Sequence, residues 1–122
     1  MRSLASGVIV LTLLAGWGCR TAAVREVTLV ARGMTFALPE QPGATNPTVR
    51  LRAGERVRLV LKNEASGLVH DLAIPEWDLT LDAVPAGEAS SLTFTVPAKA
   101  GQVTYRCQPH AAMMSGMVEV TP

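Results

Sequence analysis

The sequence predicts an all-β domain, a Greek-key β-sandwich of about seven short strands. Three observations carry this reading. Short β-branched, alternating runs recur along the chain. Turn signals built from Gly, Pro, Asn and Asp separate them at intervals of about 8–12 residues. Beyond the N-terminal segment no apolar repeat of helical period is present. The 122 residues leave room for one core, because a single domain normally takes about 100–150 residues. With two Phe, two Trp and one Tyr, that core is expected to be aliphatic, which argues against a large aromatic-lined pocket.

Residues 1–18 begin with Arg2, continue as the apolar run 7–16 and end in small residues. This is the pattern of a cleaved secretory signal peptide, too short for an ordinary membrane-crossing helix. Gly16-Trp17-Gly18-Cys19 resembles a bacterial lipobox, with Trp17 where that motif has a small residue. Cys19 is therefore expected to be acylated and to become the mature N-terminus; cleavage near residues 21–23 would instead discard it. Residues 19–25 are then a tether, and residues 26–122 the domain.

Within the domain, residues 26–31 (EVTLVA) form the first expected strand. Residues 34–38 run into Pro39, Pro42, Gly43, Asn46 and Pro47, a punctuated stretch read as a partly extended loop. Residues 48–52 and 56–61 read as two strands around Ala53-Gly54-Glu55. Their alternation places Val49, Leu51, Val57, Leu59 and Leu61 on one face and Arg50, Arg52, Arg56 and Arg58 together on the other. Such a charged face suits a solvated surface that discourages edge pairing, or a docking patch for an acidic partner. A further strand starts near His70 and ends at Pro75. Residues 79–88 read as a loop or brief edge strand with a turn at Pro85-Ala86-Gly87. Residues 90–96 alternate cleanly up to Pro97, residues 102–107 form the next strand, and residues 117–121 the final one.

The formal charge is +1, and removing Arg2 with the signal peptide leaves ten basic against ten acidic side chains. A neutral chain carries no nucleic-acid footprint. A monomer is expected, touching a membrane only through an N-terminal lipid.

The chemistry is concentrated in residues 105–120, Tyr-Arg-Cys-Gln-Pro-His-Ala-Ala-Met-Met-Ser-Gly-Met-Val-Glu-Val. Cys107, His110 and methionines share one short loop. Thiolate, thioether and imidazole together select copper, and one Cys with two His in a plane plus a weak axial Met is an electron-transfer copper site. The second imidazole has one source, His70. Taken singly, a Cys is usually a small buried hydrophobe and a His a satisfied polar group. The placement of the chain's only two histidines, one upstream and one inside Cys-x2-His, points instead to a metal site. Cys107 is accordingly read as a metal-bound thiolate rather than as half of a disulfide with Cys19. Zinc held by Cys107, His70, His110 and Asp71 would leave the loop methionines unexplained. A Cys nucleophile would need a His on a separate element and a third, orienting group.

On these residues the chain resembles the cupredoxins, the blue-copper family of plastocyanin, amicyanin, pseudoazurin and azurin. Tyr105-x-Cys107-x-Pro109-His110 resembles the plastocyanin and amicyanin ligand loop, and Met114-x-Gly116-x-Val118-x-Val120 the family's Met and final strand. The resemblance implies one copper ion held by His70, Cys107, His110 and an axial Met. Met113 would give the His-x2-Met spacing of amicyanin and Met114 the His-x3-Met spacing of azurin; Met114, two residues before Gly116, is the expected ligand. The resemblance further implies a one-electron carrier in the cell envelope, periplasmic or on the outer face of a membrane, with a redox partner docking near His110. A copper-delivery role is the alternative, suggested by the methionine run 113–117. Catalytic copper of the oxidase kind would need further His ligands or a second loop Cys, and the chain has neither to spare. Asp71 stands where the family often has an Asn that braces the Cys loop; as a carboxylate it could brace or simply form a turn.

Overall fold

The computed structural model describes Gly18, Cys19 and residues 21–122. Apart from Gly18, the expected signal peptide lies outside the described residues. Nine strands build the described part: β1 (Val24–Arg32), β2 (Thr35–Ala37), β3 (Val49–Arg52), β4 (Arg56–Asn63), β5 (His70–Ile74), β6 (Leu79–Val84), β7 (Ala89–Thr95), β8 (Gly101–Arg106) and β9 (Ser115–Thr121). All seven expected strands are among them. The segment read as a partly extended loop contains β2, and residues 79–84 are a full edge strand. β1 starts two residues before the expected position, which shortens the tether.

The strands form two sheets, ordered β2-β1-β4-β7 and β3-β9-β8-β5-β6. Apolar residues of both inner faces meet between them, with Leu29, Phe36, Leu61, Leu72, Tyr105 and Val118 all buried. In each sheet one neighbouring pair is parallel, β1 with β4 and β3 with β9. Parallel neighbours cannot be joined by a tight hairpin, so the chain must cross between sheets, and it does so at Ala53-Gly54-Glu55. Gly54 takes a positive φ of 75° there, a conformation that suits glycine. Its N–H donates to the Val96 carbonyl, 2.9 Å away.

That crossing corrects the expectation of a single arginine face. Arg50 and Arg52 lie in the five-stranded sheet, Arg56 and Arg58 in the four-stranded one. The alternation is as the sequence indicates, but the two strands carry it to opposite sides of the sandwich. Two of these arginines make cross-strand ion pairs in the parallel ladders. Arg50 reaches its register partner Glu119 at 3.1 Å, and Arg58 reaches its partner Glu26 at 3.3 Å. Exposed pairs of this kind contribute about 0.2–1 kcal/mol each, and here they favour the correct register of both ladders.

One end of the sandwich gathers the functional loops. β1 and β4 run in the same direction, so their C-terminal ends arrive together. The loop after β4 leads to His70, whose register partner is Val84 at the end of β6. β8 and β9 are antiparallel neighbours and bring residues 107–114 to that same end.

Candidate metal centre

Three of the four expected ligands sit at strand boundaries. His70 opens β5 and is buried; Cys107 follows β8 and is buried; Met114 precedes β9 and is buried. His110 closes a short 3-10 turn, Gln108–His110, and is half-buried. Pro109 near the start of that turn suits it, since a first-turn position needs no N–H partner. The loop is stitched by its own backbone. The His110 N–H donates to the Cys107 carbonyl at 3.2 Å, the Met113 and Met114 N–H groups both donate to the His110 carbonyl at 3.0 and 2.9 Å, and the Cys107 N–H closes the ring onto the Met114 carbonyl at 3.0 Å.

These elements bring His70, Cys107 and His110 into one group whose ligand atoms all lie within 4.8 Å of one another. Cys107 Sγ is 3.7 Å from His70 Nδ1 and 3.4 Å from His110 Nδ1. An ion bonded to sulfur at about 2.3 Å and to nitrogen at about 2.0 Å would hold those atoms about 3.5–3.7 Å apart for angles between tetrahedral and trigonal, close to both observed separations. The donor set therefore fits one metal ion. The two rings meet edge to face, with centroids 5.0 Å apart and planes at 69°, so neither blocks the other.

Met114 packs in the same buried cluster as Cys107, whereas Met113 is 59% exposed. Of the two adjacent methionines, Met114 is thus the one enclosed in the core. Met117 is partly buried, with its sulfur accepting from Thr104 Oγ1 at 3.9 Å.

The electrostatics suit metal capture. Burial, with a smaller contribution from nearby His110, lowers the His70 pKa and keeps its ring neutral, the form that ligates. Burial raises the Cys107 thiol pKa, so the metal-free protein holds this group protonated and metal binding releases the proton. Both cysteines are free.

Asp71 is a brace. Its Oδ1 accepts the Gln108 N–H at 2.6 Å, tying the first residue after Cys107 to the strand that carries His70. Replacing it by Ala removes the acceptor, and Asp71→Ala is expected to weaken copper binding about tenfold, the low end of what losing an outer partner of a ligand costs. Asp71→Asn keeps an acceptor and should stay close to the parent in the same chelator competition.

Two residues that the sequence reading did not single out also hold the site. Asn63 is the one buried polar residue besides His70 among the described residues. Its Nδ2 donates to the carbonyls of Leu68 and Val84, both at 2.8 Å, and its Oδ1 accepts from the Ala65 N–H at 2.9 Å. The loop before His70 and the strand beside it are thus tied to one amide. Asn46 reaches the ligand loop from another direction, donating to the Met113 carbonyl at 2.8 Å. The signal was an Asn at the end of a strand for Asn63 and an Asn in a turn-rich connection for Asn46, places where short amides replace missing backbone partners.

A two-sheet sandwich holding Cys and two His at one end defines a small mononuclear copper-binding domain. The chain belongs to the plastocyanin/azurin family of copper binding proteins, whose family model matches residues 46–121. Among solved structures it is similar to auracyanin B, at 25% identity and TM-score 0.64 over 84% of this chain and 91% of that one. It is also similar to auracyanin A, a "blue" copper protein of Chloroflexus aurantiacus, at 19% identity and TM-score 0.62 over 81% of this chain and all of that one. Rusticyanin of Thiobacillus ferrooxidans aligns at 21% identity and TM-score 0.63 over 83% and 79% of the two chains. No curated sequence relative matches the chain. The cofactor is a single copper ion, with His70, Cys107 and His110 as the ligand group.

Proposed function

We propose that the protein is a one-electron carrier of the cell envelope rather than an enzyme, with Met114 completing the ligand set. The observation that carries this reading is the burial of a ready-made donor set at the end of a rigid sandwich, with one ligand, His110, reaching towards the surface. Copper held by His70, Cys107, His110 and Met114 would supply a one-electron Cu(II)/Cu(I) couple between a reduced donor and an oxidised acceptor. The chain does the rest. His70 and Cys107 exclude water, and the backbone bonds of the loop keep the donors in place between the two oxidation states.

The half-buried His110 is the exit for electrons. Exposed Pro109, Ala112 and Met113 accompany it in the loop, and exposed Val69 precedes the other His ligand. Apart from exposed Gln108, these loop side chains are apolar, and a redox partner would dock on them briefly through apolar contact. Both histidines of the chain are used in one group, leaving no imidazole for a second copper centre. Export through the N-terminal segment, with Cys19 as lipid attachment, would place the carrier on a membrane surface.

Voltammetry of the copper-loaded domain tests the proposal. The expected result is a reversible one-electron wave together with an intense visible band for the oxidised form. A colourless protein that retains Cu(I) and exchanges it rapidly would overturn electron transfer in favour of copper delivery.

A further inference from the structure

The ligand loop is fastened at both ends by side chains from outside it. Asp71 holds its start at Gln108; its methionine end is held from the long connection between β2 and β3. Asn46, in that connection, has a positive φ of 46°, a left-handed conformation uncommon for any residue but Gly and best tolerated by Asn and Asp. Three hydrogen bonds keep it there. Its N–H donates to the Phe36 carbonyl at 2.8 Å, its Oδ1 accepts the Phe36 N–H at 2.9 Å, and its Nδ2 donates to the Met113 carbonyl at 2.8 Å. The first two lock the amide to β2, which is itself paired to β1. The third carries that rigidity into the peptide that joins Met113 to Met114.

We propose that Asn46 is a positioning residue of the copper centre: by anchoring the Met113 carbonyl to the four-stranded sheet it fixes where Met114 presents its thioether. This rests on Met114 being the axial ligand. The axial contact tunes a centre of this kind, so a residue that never touches copper sets its potential. Partners that orient ligands are a general device of metal sites; here the partner acts through a backbone carbonyl on a ligand 68 positions further along the chain, across both sheets.

Two substitutions separate the anchor from the strained backbone. Asn46→Asp keeps tolerance of the left-handed conformation and the acceptor for the Phe36 N–H, but removes the donor to Met113. Asn46→Gly keeps the backbone and removes the whole side chain. Both variants, loaded with Cu(II), are expected to show an altered intensity ratio of the thiolate-to-copper bands, changed electron-paramagnetic-resonance rhombicity and a shifted reduction potential. Copper loss to a chelator should be about tenfold faster. Unchanged spectra and potential with only a lower melting temperature would make Asn46 merely structural and overturn the proposal. A parent protein lacking the thiolate band would instead overturn the carrier reading itself. Should neither variant fold, the parent still decides: the Asn46 side-chain amide must exchange slowly in the Cu(I) form, and exchange at the rate of a free amide overturns the anchor.

Discussion

Cys107→Ser is expected to abolish the visible band and to weaken copper binding more than about a hundredfold, beyond the usual cost of losing an outer partner. The hydroxyl that replaces the thiol is a hard donor that stays protonated near neutral pH, so His70 and His110 would remain as two imidazoles without the soft anion that selects copper. The substitution also tests whether the site and the fold are separable. Cys107 is fully buried, and a hydroxyl there, set farther than the thiol from the two imidazole nitrogens at 3.4 and 3.7 Å, is poorly paired, at a cost within the range of about 1–3 kcal/mol for an unsatisfied buried group. The metal-free variant should therefore melt somewhat lower yet unfold cooperatively. Absorption and chelator competition check the first effect and thermal unfolding the second. A variant that kept the band would remove Cys107 from the centre.

The second large effect is expected at a residue with no side chain. Gly116 is the register partner of Tyr105, and the tyrosine ring lies directly over it. A Cβ built on Gly116 would collide with Cζ and Oη of Tyr105 and come within 2.6 Å of Cε1. The ring has nowhere to retreat. It is buried, meets Phe36 edge-on at a centroid distance of 5.5 Å, and its hydroxyl donates to the Pro47 carbonyl at 2.8 Å. Burial pushes the phenol pKa well above its ordinary value, so the hydroxyl stays a donor at any working pH. Gly116→Ala must shift the ring or the β9 backbone, at the 1–3 kcal/mol typical of overpacking, and losing the Pro47 bond adds about 1 kcal/mol. A total of about 2–4 kcal/mol is expected in denaturant unfolding. Because Gly116 follows Met114 by two residues, the copper spectrum should change as well. Trimming the ring in Tyr105→Val should recover part of the loss in the double variant, a coupling that a double-mutant cycle reads directly. Additive losses would show that the two residues do not collide.

The same residues show what was legible in the sequence. Seven strands announced themselves through alternation and punctuation, and three ligand positions through residue chemistry, because a Cys and two His in that spacing have few other uses. β2 was hidden by its length of three residues and the prolines that follow it. β6 was only half legible, as a loop or a brief edge strand, because it is an edge strand of mixed pattern, paired only with β5. The arginines at 50, 52, 56 and 58 were assigned to one face because alternation fixes inside against outside, but not which sheet a strand joins. That choice rests on long-range pairing, such as Val49 with Val118, which leaves no local mark. Asn46 and Asn63 were missed for a related reason: a short amide in a turn looks the same whether it closes that turn or steadies a ligand far along the chain.

The parallel pairing of β3 with β9 also governs the order in which the molecule can be made. It joins positions 69 apart, as the Arg50–Glu119 contact does, so the five-stranded sheet stays open until almost all of the described chain has left the ribosome. Pairings that wait for distant partners are slow to form. Met114 lies at the mouth of that last strand, with Cys107 and His110 just ahead of it, so a nascent chain that ends before Cys107 carries only His70 of the expected ligands. The complete donor set therefore exists only once the chain has been made up to the start of the last strand.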